Sequence, residues 1–242
     1  MNNRIESNPA FSSTRLKSIR AADSVNRVYQ EIKELAVEYR FRPGQKVNEV
    51  DLAEKLGVSR TPVREALNRL VRDGFMSFVP NKGFYARELS ADTVRQLYEL
   101  RAAIESGAYR LACVRATDQE IEDAVRPWES ATDPATGFSQ TRMAEADEAF
   151  HMAVARLSKN PEMIDALERI NARIRFFRRT DMETQPRRQE TFGQHARIIE
   201  HLRRREPEAG ALVLEQHVTL SSAHAILVTK EVVARIFLGP AA

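Results

Sequence analysis

The chain has 242 residues, 43% hydrophobic and 29% charged, a globular balance that excludes a disordered or fibrous protein and leaves room for two modest domains. No apolar run approaches the roughly 18 residues of a membrane span, the polar first twenty residues lack the apolar stretch of a secretory signal, and the single cysteine, Cys113, excludes an intrachain disulfide and a thiolate-rich zinc site; a cytoplasmic protein without a membrane partner is expected. The net charge of +3 is unevenly placed, with 16 Lys/Arg against 11 Asp/Glu in residues 1–90 and 21 against 23 in residues 91–242, so any polyanion partner belongs to the N-terminal part.

Residues 1–20 are polar and without periodicity, which reads as a flexible arm. A first domain is expected over 21–89. In it Val25, Val28, Ile32, Leu35 and Ala36 recur at helical spacing before the Pro43-Gly44 turn. Leu52, Ala53 and Leu56 mark a short second helix closed by Gly57. Thr61-Pro62 reads as the cap and first turn of a third, whose stripe is Val63, Ala66, Leu67, Leu70 and Val71 and whose end is near Asp73-Gly74. Phe75 to Val79 and Phe84 to Ala86 then alternate as a hairpin around Pro80-Asn81-Lys82-Gly83. From 90 to 234 no further strand pattern occurs. About six helices are expected there, broken at Thr117-Asp118, Asp133 to Gly137, Asn160-Pro161, Gln185-Pro186 and Glu206-Pro207, with 235–242 as a tail. The fold class is mainly α: an N-terminal winged helix-turn-helix of three helices and a β-hairpin, followed by an all-helical bundle.

With the apolar stripe of the third helix buried, Arg60, Thr61, Arg64, Asn68 and Arg72 are left outward or at its N-terminal end. Arginine forks match guanine O6 and N7, and a helix N-terminus favours a phosphate. Lys82 and Gly83 lie at the hairpin tip, where a wing touches the backbone or minor groove. The same arginines would also suit a solvated face paired with Glu65 or Asp73. The segments LAEKLGVSRTPVREALNRLVRDGF and PNKGFYARE, within residues 25–88 and together with the Arg42-Pro43-Gly44 turn, resemble the DNA-binding domain of GntR-family bacterial transcription factors. That resemblance implies operator contacts from Arg60, Thr61, Arg64 and the wing at Lys82-Gly83. Val50 stands where some relatives carry a basic side chain just before the second helix.

In the second domain Asp147 and His151 are four residues apart on a helix with Ala149, Phe150 and Val154, so they share a face, and His195 and His217 lie on the last two helices. One carboxylate and three imidazoles suit a divalent ion, zinc first, with nickel, manganese or iron also compatible. By spacing alone a helix-surface Asp-His pair and two unrelated histidines fit equally. The segments VRQLYELRAAIES, EADEAFHMAVARLSKNP, QHARIIEHL and EQHVTL, over about residues 92–220, resemble the FCD effector domain of FadR-subfamily GntR regulators. The resemblance implies that Asp147, His151, His195 and His217 bind a metal, and that Arg101 receives the carboxylate of a small effector. Arg101 is equally placed for a salt bridge to Glu105 or Glu99. Asn171 and Arg175, on one helix face, are further effector candidates, and His224, seven residues after His217, is more remote. Gln194 stands where the family often has Glu before the third ligand.

The expectation is a homodimeric, operator-binding regulator, not an enzyme, whose DNA affinity responds to a small organic acid at the metal. A purely structural metal site is the alternative. A metal-dependent hydrolase would need an acid/base group beside the ligands, and the sequence offers no motif for one.

Overall fold

The computed structural model describes residues 24–88, 90–132, 140–181 and 185–238. The chain divides into two compact units, Met1–Glu88 and Leu89–Ala242. The arm expected over 1–20, the break at 133–137 and the last four residues of the tail lie outside the described residues.

In the first unit helix α1 (residues 24–37) buries Val28 and Ile32. Strand β1 (Lys46–Val47) leads into α2 (Glu49–Lys55), whose cap is Asn48, its side chain accepting from the Val50 amide at 2.9 Å. Gly57 adopts φ +63°, the left-handed conformation that lets the chain turn at once into α3 (Arg60–Arg72). The cap of α3 is Ser59, two residues before the expected Thr61. Pro62 is then the third helical residue, still among the first four positions, whose amides have no partner within the helix, so its missing N–H costs nothing. Val63, Ala66, Leu67 and Leu70 form the buried stripe.

Strands β2 (Met76–Val79) and β3 (Gly83–Ala86) form the expected hairpin, with Phe78 opposite Phe84. Pro80 and Asn81 (φ +63°) are the central residues of a turn in which the Lys82 amide donates to the Val79 carbonyl at 3.0 Å, the type II pattern. The sequence reading left out β1. It pairs antiparallel with β3 and completes a sheet of order β1-β3-β2; two residues carry no legible alternation.

The second unit is helical among its described residues: α4 (Ala91–Arg115), α5 (Asp118–Ala131), α6 (Gln140–Leu157), α7 (Pro161–Asp181), α8 (Gln185–Arg203) and α9 (Pro207–Leu238). Helix α4 starts at the Ser90 cap, and α5 at a capping box in which Thr117 and Glu120 satisfy each other's backbone amides. Helix α9 packs against α4, α7 and α8, and α6 against α4, α5 and α7. Over Pro207–Thr229 helix α9 is long and apolar enough to cross a membrane, with mean hydropathy 1.2. Of this stretch Ala211, Leu214, Val218 and Ala225 are buried in the bundle together with His217, whereas Leu212, Leu220 and Leu227 are exposed. It continues to Leu238, four residues past the expected domain end.

Candidate metal centre and nucleic-acid interface

Every one of Arg60, Thr61, Arg64, Asn68 and Arg72 is exposed on α3, and Lys82 is exposed at the hairpin turn beside half-buried Gly83. The partners considered for the arginines are engaged elsewhere or not met. Asp73 accepts a 2.6 Å hydrogen bond from the Tyr29 hydroxyl, and among the described residues Arg60, Arg64, Arg72 and Lys82 form no ion pair. Arg69, by contrast, is committed to the fold: it donates to Asn26 Oδ1 at 2.7 Å and stacks over Tyr29 at 4.2 Å. The outward face of α3 thus presents cations that form no ion pair among the described residues, as a polyanion-binding surface requires. Val50, in the first turn of α2, is exposed and apolar.

In the helical unit, Asp147 and His151 of α6 meet His195 of α8 and His217 of α9, all four buried and each offering a ligand atom within 4.8 Å of the others. His217 Nε2 lies 3.2 Å from His151 Nε2 and 3.3 Å from His195 Nε2, and Asp147 Oδ1 lies 3.3 Å from His195 Nε2 and 3.7 Å from His151 Nε2. Trp128 and Phe150 wall off the group, their rings 4.2 and 4.3 Å from that of His195.

The protons can be placed from the other ring nitrogens. His151 Nδ1 is 2.5 Å from Glu105 Oε2, and His217 Nδ1 is 2.6 Å from Gln194 Oε1. Both acceptors draw the proton to Nδ1 and leave the Nε2 atoms as lone pairs pointing at one another. Asp147 Oδ1 is a further acceptor, buried and without a hydrogen-bond donor. Lone pairs massed in a dry interior call for a cation. Ligands about 2.0–2.2 Å from one ion lie about 2.9–3.5 Å apart, and the four separations just given fall in or beside that range, with all four atoms within 4.8 Å of one another. The residues therefore fit a divalent ion, and Glu105 and Gln194 are the outer partners that orient its histidines.

Charge is tuned to the same end. Burial pushes the His195 and His217 imidazoles well below their usual range; nearby His151 and Arg101 act with it at both, Asp147 opposes it. Burial alone would raise the Asp147 carboxyl, but Arg178, with Nε 2.7 Å from Oδ2, and the histidines hold it well below the carboxylate range. Burial likewise opposes Glu105, yet Arg101 and His151 bring it down to about 2. His195 and His217 are thus held as neutral imidazoles and Asp147 as a carboxylate, the forms that bind metal.

Arg101 is buried on α4 and donates through Nε to Glu105 Oε1 at 2.5 Å, while its Nη2 has no partner. The alternative salt bridge therefore forms, and the two N–H groups of Nη2 remain without an acceptor among the described residues. Asn171 is buried on α7, accepting from Arg178 Nη1 at 3.3 Å. Arg175 is not brought to the cluster. It is exposed and paired with Glu148 at 3.1 Å, and Arg178 takes the inward place. Seven residues are 700° of helix, 20° short of two turns, whereas four overshoot one turn by 40°. Arg178 and Glu105 join the site beyond the residues the sequence pointed to, the spacings Glu105 to Arg101 and Arg178 to Asn171 being the available signals, and Gln194, noted in the sequence beside the third ligand, holds His217. His224 is half-buried outside the four-residue group.

A winged helix with an exposed basic face, followed by a helical unit with a buried Asp-His cluster, points to a DNA-binding transcription regulator. The profile of the FCD domain matches residues 96–220, and that of the bacterial regulatory proteins of the gntR family matches residues 24–86. The chain belongs to the GntR family of DNA-binding transcriptional regulators and carries an FCD domain. It is 47% identical over 181 residues to the Nta operon transcriptional regulator of Aminobacter aminovorans, covering 74% of this chain and 84% of that one. To the HTH-type transcriptional regulator YdhC of Bacillus subtilis it is 30% identical over 193 residues, 78% and 84% of the two chains. In fold it is similar to E. coli McbR/YncC (TM-score 0.63, 21% identity, 86% of this chain and 97% of the other) and to a GntR regulator from Rhodococcus sp. RHA1 (TM-score 0.64, 21%, 84% and 97%). These relatives are regulators, not enzymes.

Proposed function

We propose that the chain is a cytoplasmic, homodimeric regulator of the FadR subfamily whose affinity for operator DNA is set by a small organic acid bound at a divalent metal, zinc first, held by Asp147, His151, His195 and His217. The convergence of four buried lone-pair atoms on one point supports it most. Arg60, Thr61, Arg64 and Asn68 read the major groove, and Lys82 with Gly83 forms the wing contact. Arg101 and Asn171 hold the acid, with Arg178 in the part foreseen for Arg175. The coupling between acid and DNA equals the acid's differential affinity for the DNA-competent and DNA-incompetent states.

The test begins with metal analysis of the purified full chain, which is expected to carry one divalent ion per chain. An operator is then selected from a random duplex pool, and affinity is measured with metal, with chelator and with a panel of carboxylates. A folded protein without metal would overturn the metal reading. A metal-loaded protein whose operator affinity ignores every carboxylate would reduce the ion to a structural staple.

A further inference from the structure

The buried charges of the helical unit stop cancelling once a divalent ion is present. Among the described residues, only four Asp, Glu, Lys or Arg side chains are buried: Arg101, Glu105, Asp147 and Arg178. All four belong to the metal cluster, and their formal charges sum to zero. An imidazole that ligates a metal adds no formal charge, and neither does Gln194, which holds His217 Nδ1 through its amide oxygen. A divalent ion therefore leaves the centre at net +2 in an interior that penalises uncompensated charge.

Donors without partners show where compensating charge would be received. Arg101 Nη2 on α4, and Arg178 Nη2 and Asn171 Nδ2 on α7, are buried polar atoms that meet no acceptor. Each belongs to a side chain anchored by its other atoms: Arg101 to Glu105, and Arg178 beside Asp147 and bonded to Asn171. Side chains fixed at one end with N–H groups to spare at the other are preorganised for an incoming acceptor. Arg101 on α4 and the α7 pair thus offer an incoming anion donors from two elements. Arg178 also lines a cleft of about 400 Å³ between α6 and α7, where Arg156, Arg175 and Arg179 stand with it against Glu145 and Glu148.

Resting on the reading that this centre takes a carboxylate effector, we propose that the effector is a dianion bearing two carboxylates, that Arg178 and Asn171 select the second of them, and that the neutral side chain of Gln194 sets the site's demand for two charges. A glutamate at 194 would leave the centre at +1, matched by a single carboxylate.

The experiment is calorimetry on the full chain loaded with zinc, at about pH 7.5 where all probes are ionised. The probes are dicarboxylates of three to six carbons, monocarboxylates of matched length, and inorganic phosphate. The best dicarboxylate is expected to bind at least about tenfold tighter than its monocarboxylate match and than phosphate. Arg178→Gln should remove about tenfold from the dicarboxylate and clearly less from the monocarboxylate, with zinc content checked by metal analysis because Arg178 also holds Asp147. Gln194→Glu should narrow the ratio while zinc stays bound, as read by metal analysis. Asn171→Ala, a smaller change, supplies the same comparison if Arg178→Gln fails to fold. Equal binding of the two classes would overturn the dianion and leave the carboxylate reading standing. Phosphate binding as tightly as the best dicarboxylate would overturn the two-carboxylate assignment. Selectivity unchanged in both α7 variants would remove Arg178 and Asn171 from the site, and binding of no carboxylate would overturn the effector reading itself.

Discussion

His217 Nδ1 of α9 lies 2.6 Å from the Gln194 amide oxygen of α8, next to the residue that supplies His195. This bond fixes the His217 tautomer, keeping Nε2 free for a metal, and carries no formal charge. Gln194→Ala is expected to weaken zinc affinity by about 10- to 100-fold. Competition against a chromophoric chelator reads this directly. Unchanged affinity would mean that the His217 ring is oriented by packing alone.

Acid should destabilise the metal-free protein in two stages. His195 and His217 have pKa values depressed in the folded state, so the unfolded chain binds more protons as pH falls below the ordinary histidine value of 6.5. Their contribution is complete above that value and is lost below it, with a limiting slope of about 1.4 kcal/mol per pH unit for each imidazole. Glu105 adds stability that is complete above its ordinary 4.5 and is lost as pH falls toward about 2. Urea midpoints measured from neutral pH downward should be flat first and then fall below about pH 6.5. A midpoint constant down to pH 5 would contradict the burial of neutral histidines.

The readable parts of this chain were those with a local signature. The stripes of α1 to α3, the turn chemistry at Pro80 to Gly83 and the breaks at Thr117, Asn160 and Glu206 are each written within a few residues. The face of α3 followed from its stripe, because in an amphipathic helix burying Val63 to Leu70 exposes Arg64 and Asn68. What escaped was decided across long separations. Arg178 meets Asp147, 31 positions away, by where α7 crosses α6, and no single-helix pattern distinguishes it from Arg175. Glu105 read as a salt-bridge partner of Arg101, which it is; that its other oxygen meets His151 depends on how α4 packs on α6. β1 exists because β3 offers it an edge.

The α3 cations are separable from the fold. Since Arg64 and Lys82 are exposed and unpaired among the described residues, replacing either with Ala should change thermal stability little, within about 0.5 kcal/mol. Arg64→Ala should cost about 1–3 kcal/mol of operator affinity and relax discrimination at one base pair. Lys82→Ala should weaken all sequences alike and lower the salt slope by about 1. Binding isotherms at several salt concentrations separate the two. An Arg64→Ala variant with full affinity and specificity would remove α3 from the major groove.

A last prediction concerns the crossing of α4 and α9, which no motif announced. Tyr109 of α4 is fully buried and donates its hydroxyl to the Ile198 carbonyl of α8 at 3.1 Å, and Gly210 of α9 lies directly against its ring edge and hydroxyl. A methyl group at 210 would overlap the tyrosine, whose rigid ring cannot bend aside without breaking its bond to α8. Although alanine favours a helix over glycine by about 1 kcal/mol, Gly210→Ala is therefore expected to destabilise the helical unit, by about 1–3 kcal/mol net. Gly193 is the control: it is also helical, and a Cβ there meets nothing within 4 Å, so Gly193→Ala should be neutral or stabilising. The pair is read by urea denaturation of the full chain, following loss of helix. If both alanines stabilise alike, helix propensity alone governs and the close approach of α9 to Tyr109 is not what the packing requires.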